Sequence, residues 1–382
     1  MAMSRLRRML GTVLLVPSVA SAVVAFGGVT GFCGPCARVT DALTGGYRMV
    51  LASDGADAEP DGFRRTVRPN SVDLHEQYDT SDALIPLEEM HTLLPRDAIP
   101  ALTDPSTESV EQTSGWLRPD DRVVLATAGD DAYVAPLRVL DFHEIVNITL
   151  SGDPIAITYC PLCDSASVIS RVVKDGEGDA QVLEFGVSGA LYNSNVLMYD
   201  RTHRGLWSQL AMKAITGPMA GTRLETRPVR VVPFSAVSKR HPHARVLSRE
   251  TGHQRDYSGD AYAGFFARDG LLVDVRRFDD DLPPKTLGLG VLAGGEAFFV
   301  PIHQLSEGDT LAFDTPLGVV EVRRAGGSGG TGVGGVEVVS APEKGIATAQ
   351  ALYYAWSAFH REVRVVTPAE EPSPSGEPSS EQ

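Results

Sequence analysis

The feature that most restricts the folds open to this chain is that it repeats itself. Val124-Leu125-Ala126-Thr127-Ala128-Gly129 leads to Ala132, Pro136, Leu137 and Leu140, and Leu289-Gly290-Val291-Leu292-Ala293-Gly294 leads to Ala297, Pro301, Ile302 and Leu305. The two series align at a constant offset of 165 positions, as from Pro136 to Pro301. Each reads as a strand, a Gly turn, a second strand and a short helix led by Pro. Further along, Ser238, His241, Arg245 and Val246 match Ser357, His360, Arg364 and Val365 at an offset of 119. Both of these series close a helix-like run that enters a strand. An internal duplication accounts for all four segments, with an insertion of about 46 residues (165 minus 119) in the first copy.

The expected fold class is therefore α+β and predominantly β, with two related β-rich lobes, the first over about 120–250 and the second over about 285–366. Short β-rich runs punctuated by Gly, Asp and Pro support this: Arg122–Thr127, Ile155–Tyr159, Val168–Val173, Val196–Tyr199 and Val229–Val232. Asp82–Pro119 is rich in Pro with short apolar patches, and reads as short helices and loops wrapping the lobes within a family-sized domain over 82–366. Gly326–Gly335 reads as a flexible loop tip between two strands, and 367–382 as a disordered Pro, Ser and Glu tail.

The start of the chain has a separate plan. Arg5, Arg7 and Arg8 precede an uncharged run from Met9 to Ala37, strongly apolar as far as Phe26. This is the layout of a signal peptide or membrane anchor over 1–37. Ala20-Ser21-Ala22 would suit cleavage, but the apolar run continues past it, which favours an uncleaved transmembrane helix. Arg on the N-terminal side would hold that end in the cytoplasm and leave the remainder outside, behind a stalk or lead-in over 38–81. The expected location is the cell membrane with an extracytoplasmic domain, or secretion. The formal net charge is −15, a surface that repels phosphate backbones, so nucleic acid is excluded as an expected partner. The membrane is the expected partner of the N-terminal segment, and a small molecule or a protein is left for the domain.

The residues that carry chemistry concentrate in Asp141–Gln209, within what only the first lobe has. In order, they are His143-Glu144-Ile145-Val146-Asn147, Thr158-Tyr159-Cys160-Pro161-Leu162-Cys163, Phe185-Gly186-Val187-Ser188-Gly189, Tyr192-Asn193-Ser194-Asn195, Met198-Tyr199-Asp200-Arg201 and Leu206-Trp207-Ser208-Gln209. This series resembles the pattern of the domain of unknown function 3179 family, from about Asp97 to Val366. It implies a fold and a set of motifs but no reaction, since that family has no assigned function. The chain departs from the family pattern at Ala135 and Val300, where Tyr is usual before the repeat's Pro. It departs again at Asp164, where Gly often follows the second Cys, and at Thr202-His203, where Gln-Thr is usual. His203 is therefore not carried over as a functional residue.

Two residues between Cys160 and Cys163 let both sulfurs face one point, a spacing that serves a metal, a redox disulfide or a structural disulfide. The pair lies between β-like runs, as in the knuckle of zinc and iron sites. A lone pair is half of a closed site, and His143 is the first choice for a further ligand. The alternative for His143 is a hydrogen-bonded core or capping histidine. The leading expectation is an extracytoplasmic metal-binding, redox-capable protein with metal ligands Cys160, Cys163 and His143 and with copper or zinc ahead of iron. Glu144 or Asp200 would orient a ligand or move a proton alongside His143. Asn193, Ser194, Tyr199, Arg201 and Gln209 would line a pocket, the alternative being strand and turn architecture.

Two further function classes stay open: a thiol–disulfide oxidoreductase without metal, and a non-enzymatic surface binding protein in which the Cys pair is a staple. Cys33-Gly34-Pro35-Cys36 repeats the thioredoxin tetrapeptide at the outer end of the apolar segment, but no βαβ pattern follows it. It reads as a local disulfide or as lone thiols, with a relay to Cys160 and Cys163 as the bolder alternative. Ser208 lacks the nucleophile-elbow pattern, which argues against serine hydrolysis. Asn147-Ile148-Thr149 is a formal glycosylation triplet.

Overall fold

The computed structural model describes residues 73–368, apart from 175–177, 179, 260, 268–269, 272–274, 278, 326–334 and 343. The apolar N-terminal segment, Cys33 with Cys36, most of the lead-in, the Gly-rich loop tip and the tail from 369 onward lie outside the described residues. Among the described residues, no helix is long and apolar enough to cross a membrane.

The first repeat forms a hairpin of β1 (Arg122–Ala128) and β2 (Asp131–Pro136), followed by helix α1 (Leu137–His143). Alternate residues of β1 serve two cores, Val124 and Ala126 on one side and Val123 and Leu125 on the other. That double burial explains why the strand reads as one continuous apolar run. The segment that follows holds β3 (Ile145–Leu150), β4 (Asp153–Cys160), β5 (Ser165–Ser170), β6 (Phe185–Tyr192), β7 (Asn195–Asp200) and β8 (Leu206–Ser208). The first copy then closes with β9 (Val231–Pro233), α2 (Phe234–Arg240) and β10 (Arg245–Leu247). The second copy holds β11 (Leu287–Ala293), β12 (Glu296–Pro301), β13 (Thr310–Thr315), β14 (Gly318–Arg324), β15 (Val336–Ser340), β16 (Ile346–Leu352), α3 (Tyr353–Phe359) and β17 (Arg364–Val365).

The strands form several sheets, so the fold is β-rich as expected. Within them, two units have the same strand order: β9-β1-β2-β10 and β16-β11-β12-β17. Their registers agree at the two sequence offsets. Val123 faces Pro136 as Gly288 faces Pro301, and Val231 faces Val124 as Gln350 faces Leu289. The closing strands are parallel in both, with Arg245 opposite Tyr133 and Arg364 opposite Phe298.

Each unit also receives the other's inserted segment. In the first copy, β3, β4 and β5 extend the sheet of the second unit, through Ala166 of β5 against Gln350 of β16. In the second copy, β13, β14 and β15 form a three-stranded sheet whose Glu337 bridges Arg230, next to β9 of the first unit. The shared core accordingly mixes both copies, with Val124, Tyr133 and Leu140 in one cluster with Phe298, Val300 and Val322. A second core joins Phe185 and Trp207 to Phe299, Tyr353 and Trp356, and encloses both Cys160 and Cys163. Leu74 and Tyr78 are buried against the sheet of β6, β7 and β8, so packed structure begins within the segment read as lead-in.

Candidate functional site

Strand β4 ends at Cys160, where Pro161 opens a single 3-10 turn, Pro161–Cys163. The ring fixes φ for a first helical residue, so the turn starts at once. Asp164 then takes a left-handed conformation (φ 43°, ψ 38°), and the chain reverses so that Ser165 pairs with Cys160 across β4 and β5. The pair thus sits on a short turn between two strands. Asp164 occupies a conformation suited to Gly, and its carboxylate is held by Arg122 through two bonds of 2.8 and 3.0 Å and by the Tyr159 hydroxyl at 3.1 Å.

Both thiols are free and buried, and their sulfurs stand 3.2 Å apart. Several groups converge on them. The Ser194 carbonyl lies 3.2 Å from Cys163 Sγ, and the Asn195 side-chain amide donates to the same sulfur at 3.3 Å. Backbone N–H groups of Cys163 and Val196 are directed at Cys160. Burial pushes the Cys160 thiol well up from its ordinary value, and the neighbouring Cys163 adds to this. Gln209 anchors the surroundings. Its carbonyl oxygen accepts from Ser165 Oγ (2.6 Å) and Asn195 Nδ2 (2.8 Å), while its amide donates to Thr158 Oγ1 (2.9 Å). The Tyr354 hydroxyl donates to the Leu162 carbonyl at 2.9 Å, beside both thiols. Gln209 and Ser194 therefore do belong with the cysteines. Asn195, which closes the Tyr192–Asn195 motif, belongs there too, as do Ser165 and Tyr354, which the motif reading did not single out.

Glu144 lies on the other side of Cys160. Its backbone has a positive φ of 54° at the end of α1, and its carbonyl accepts from Tyr159 N–H at 2.7 Å. Burial raises its carboxyl well above the usual range, and Cys160 and then Asp141 add to the effect.

His143 points elsewhere. Nδ1 is 2.7 Å from the Pro100 carbonyl, which only accepts, so this nitrogen carries the proton. Nε2 then accepts from the Tyr257 hydroxyl (2.7 Å), and that oxygen is left to accept from Thr251 Oγ1 (2.7 Å). Burial holds His143 at about 4, consistent with a neutral ring. The ligand atoms of His143, Cys160 and Cys163 do not converge within 4.8 Å of one another. Among the described residues, the only such cluster of three or more is Asp279, Asp280 and Asp281, two of them exposed.

The remaining candidates lie apart from the thiols. Tyr199 and Arg201 bond to Asp97 at 2.5 and 3.1 Å, and Arg201 also pairs with Glu184. Asp200 accepts from Trp207 Nε1 (2.9 Å) and from the His203 backbone (2.5 Å), which staples the turn between β7 and β8. Asn193 accepts from the Arg276 backbone at 2.8 Å. Asn147 is fully buried, donating to the Phe185 carbonyl and accepting from its N–H, so the glycosylation triplet is inaccessible in the fold.

A cleft of about 590 Å³ opens where the two units meet. Arg122 and Pro233 of the first unit and the positions matching them in the second, Leu287 and Leu352, all line it. So do Asp141, Tyr159, Asp164, Tyr262 and Lys285. Tyr262 and Lys285 lie in a stretch without strand periodicity, and no pattern in the sequence marks them.

Residues 96–331 match the family described as Protein of unknown function (DUF3179). The chain belongs to that family. The cysteine turn, the Gln209 network and the lining from Arg122 to Tyr262 all fall inside the matched span of the DUF3179 family, as does Lys285. No curated protein and no solved structure matches the chain.

Proposed function

We propose that the β4–β5 knuckle is a thiolate metal site taking one thiophilic ion, in a protein that is exported or held at the membrane by its N-terminal segment. The observation that carries the reading is the buried pair of touching sulfurs, each met by N–H donors. Donors aimed at sulfur favour the thiolate, while burial opposes it. A bound cation resolves that conflict by supplying the compensating charge. Two thiolates with no third converging His, Cys or carboxylate among the described residues suit copper(I), which accepts two-coordinate sulfur ligation, better than zinc, which takes four ligands in structural sites. Iron ranks behind both. The reaction served, if the ion is more than carried, is redox in class.

Metal analysis of the purified chain, prepared reduced and offered copper(I) and zinc separately, tests this. The expected result is one equivalent of copper in the wild type and none in the Cys160→Ser/Cys163→Ser variant. Equal copper in both would sink the site. A second reading, a reversible Cys160–Cys163 disulfide, is favoured by the 3.2 Å contact itself. A mass loss of two hydrogens on mild oxidation, reversed by a dithiol and coupled to no metal uptake, would favour it over the first.

We also infer that the two units descend from an internal duplication. The identical register at offsets of 165 and 119 supports it. In a collection of DUF3179 family sequences, the two halves should align with each other better than with shuffled segments. Failure of that comparison would count against common descent.

A further inference from the structure

We propose that the cleft between the two units binds a neutral, hydroxyl-rich small molecule of the size of a mono- or disaccharide. The first argument is electrostatic. Three of the four cations that line the cleft, Arg118 being the fourth, are already engaged by groups of this chain. Arg122 holds Asp164 through both terminal nitrogens, Arg138 pairs with Asp121, and the Lys285 ammonium donates to the Phe265 carbonyl at 2.8 Å while resting 4.2 Å from the Phe265 ring centre. An anionic ligand at Arg122 or Arg138 would compete with a carboxylate already paired there and weaken that carboxylate's compensation, which is costly. A cationic ligand meets the mirror problem. A hydroxyl meets neither, because it both donates and accepts. Carboxylates that have spent one or two lone pairs keep others free, and a guanidinium has more N–H groups than one carboxylate uses.

The second argument is shape. A cavity of about 590 Å³ lies in the range of small-molecule sites, which favour the seams between domains. Apolar surface is present as well as polar. Tyr262 lines the cavity beside Phe266, a large side chain left 38% exposed at its rim. Such rings cover the C–H face of a sugar while the ion pairs meet its hydroxyls.

The third argument is position. The matched pairs Arg122 with Leu287 and Pro233 with Leu352 bring charged and apolar lining from both units into one cleft. A ligand with one hydroxylated edge and one C–H face fits that mixed lining. The cleft's lining does not include the cysteines, although Tyr159 and Asp164 beside them reach it.

The test is calorimetric titration of the full chain with glucose, maltose, glucose 6-phosphate and inorganic phosphate, each in turn. Saturable binding of glucose or maltose is expected, with glucose 6-phosphate binding no tighter than glucose. Phe266→Ala, at an exposed position that leaves the fold intact, and Tyr262→Phe as a separate variant should each weaken the sugar by roughly tenfold or less, the worth of one contact or hydrogen bond. Tighter binding of inorganic phosphate or glucose 6-phosphate than of glucose would overturn the proposal in favour of an anion site. No saturation by either neutral sugar would overturn it, and so would sugar binding that both cleft variants leave unaltered.

Discussion

Asp164 combines a left-handed backbone with a buried ion pair, so its two roles can be separated by substitution. Removing Arg122 leaves the Asp164 carboxylate, 5% exposed, without its countercharge. Arg122→Met is expected to lower stability by about 3 kcal/mol. Adding Asp164→Gly should recover most of that loss, because glycine meets the backbone requirement without a charge. Denaturant unfolding of the single and double variants reads this directly, and a double variant no better than the single would contradict it. His143 gives a pH signature. Its folded value of about 4 lies below the ordinary 6.5, so the fold favours the neutral ring. The contribution is complete above about pH 6.5 and is lost as pH falls through 4, a change of about 3 kcal/mol at most. His360, also held at about 4 by burial, adds to the same window. His143→Gln should therefore flatten part, but not all, of the loss of stability between pH 7 and pH 4. An unchanged slope would mean that the ring is not held neutral.

At the scale of elements, the repeated hairpin shows what a sequence displays and what it hides. The two hairpins are legible because their strands serve two cores, and alternation with Gly and Pro punctuation marks both. Gly290 marks one place where the copies must differ. A β-carbon there would stand inside the indole of Trp356 on α3, whereas the first copy has Leu125 at the matching position. Gly290→Ala should cost about 1–3 kcal/mol through overpacking. Trp356→Leu in the same chain should give less than the sum of the two losses, because the clash disappears, and thermal unfolding of the three variants checks this. The meeting of the two sulfurs was equally legible, since local spacing alone places Cys160 and Cys163 together. The surroundings were not. Arg122 reaches Asp164 across 42 positions, and His143 reaches Tyr257 across 114. Side chains brought together over such distances leave no periodic trace. That is why His143, one residue from Glu144 in sequence, is bonded into a separate network, and why the cleft's Tyr262 and Lys285 escape notice.

For the whole molecule, the interleaving of strands makes the two units interdependent. Strands β3, β4 and β5 of the first copy complete the sheet of the second, and Glu337 of the second bridges to Arg230 of the first while pairing with Arg240 and Arg323. Neither half buries its own apolar faces alone. Chains covering 73–252 and 283–368 are expected to be unfolded when expressed separately and to gain dispersed amide spectra only when mixed. A folded isolated half would refute the interdependence.

The same interleaving sets a clock for biosynthesis. The edge of β5 meets Thr226 and Arg227 early, at Ile169 and Val168, but Ala166 must wait for Gln350. At ordinary synthesis rates that interval is roughly ten to forty seconds. Through it the nascent chain carries an unfinished strand edge, the kind of surface that recruits other strands. A chain of this topology gains from being kept unfolded until its last strands have emerged, a condition that passage across a membrane in extended form would satisfy.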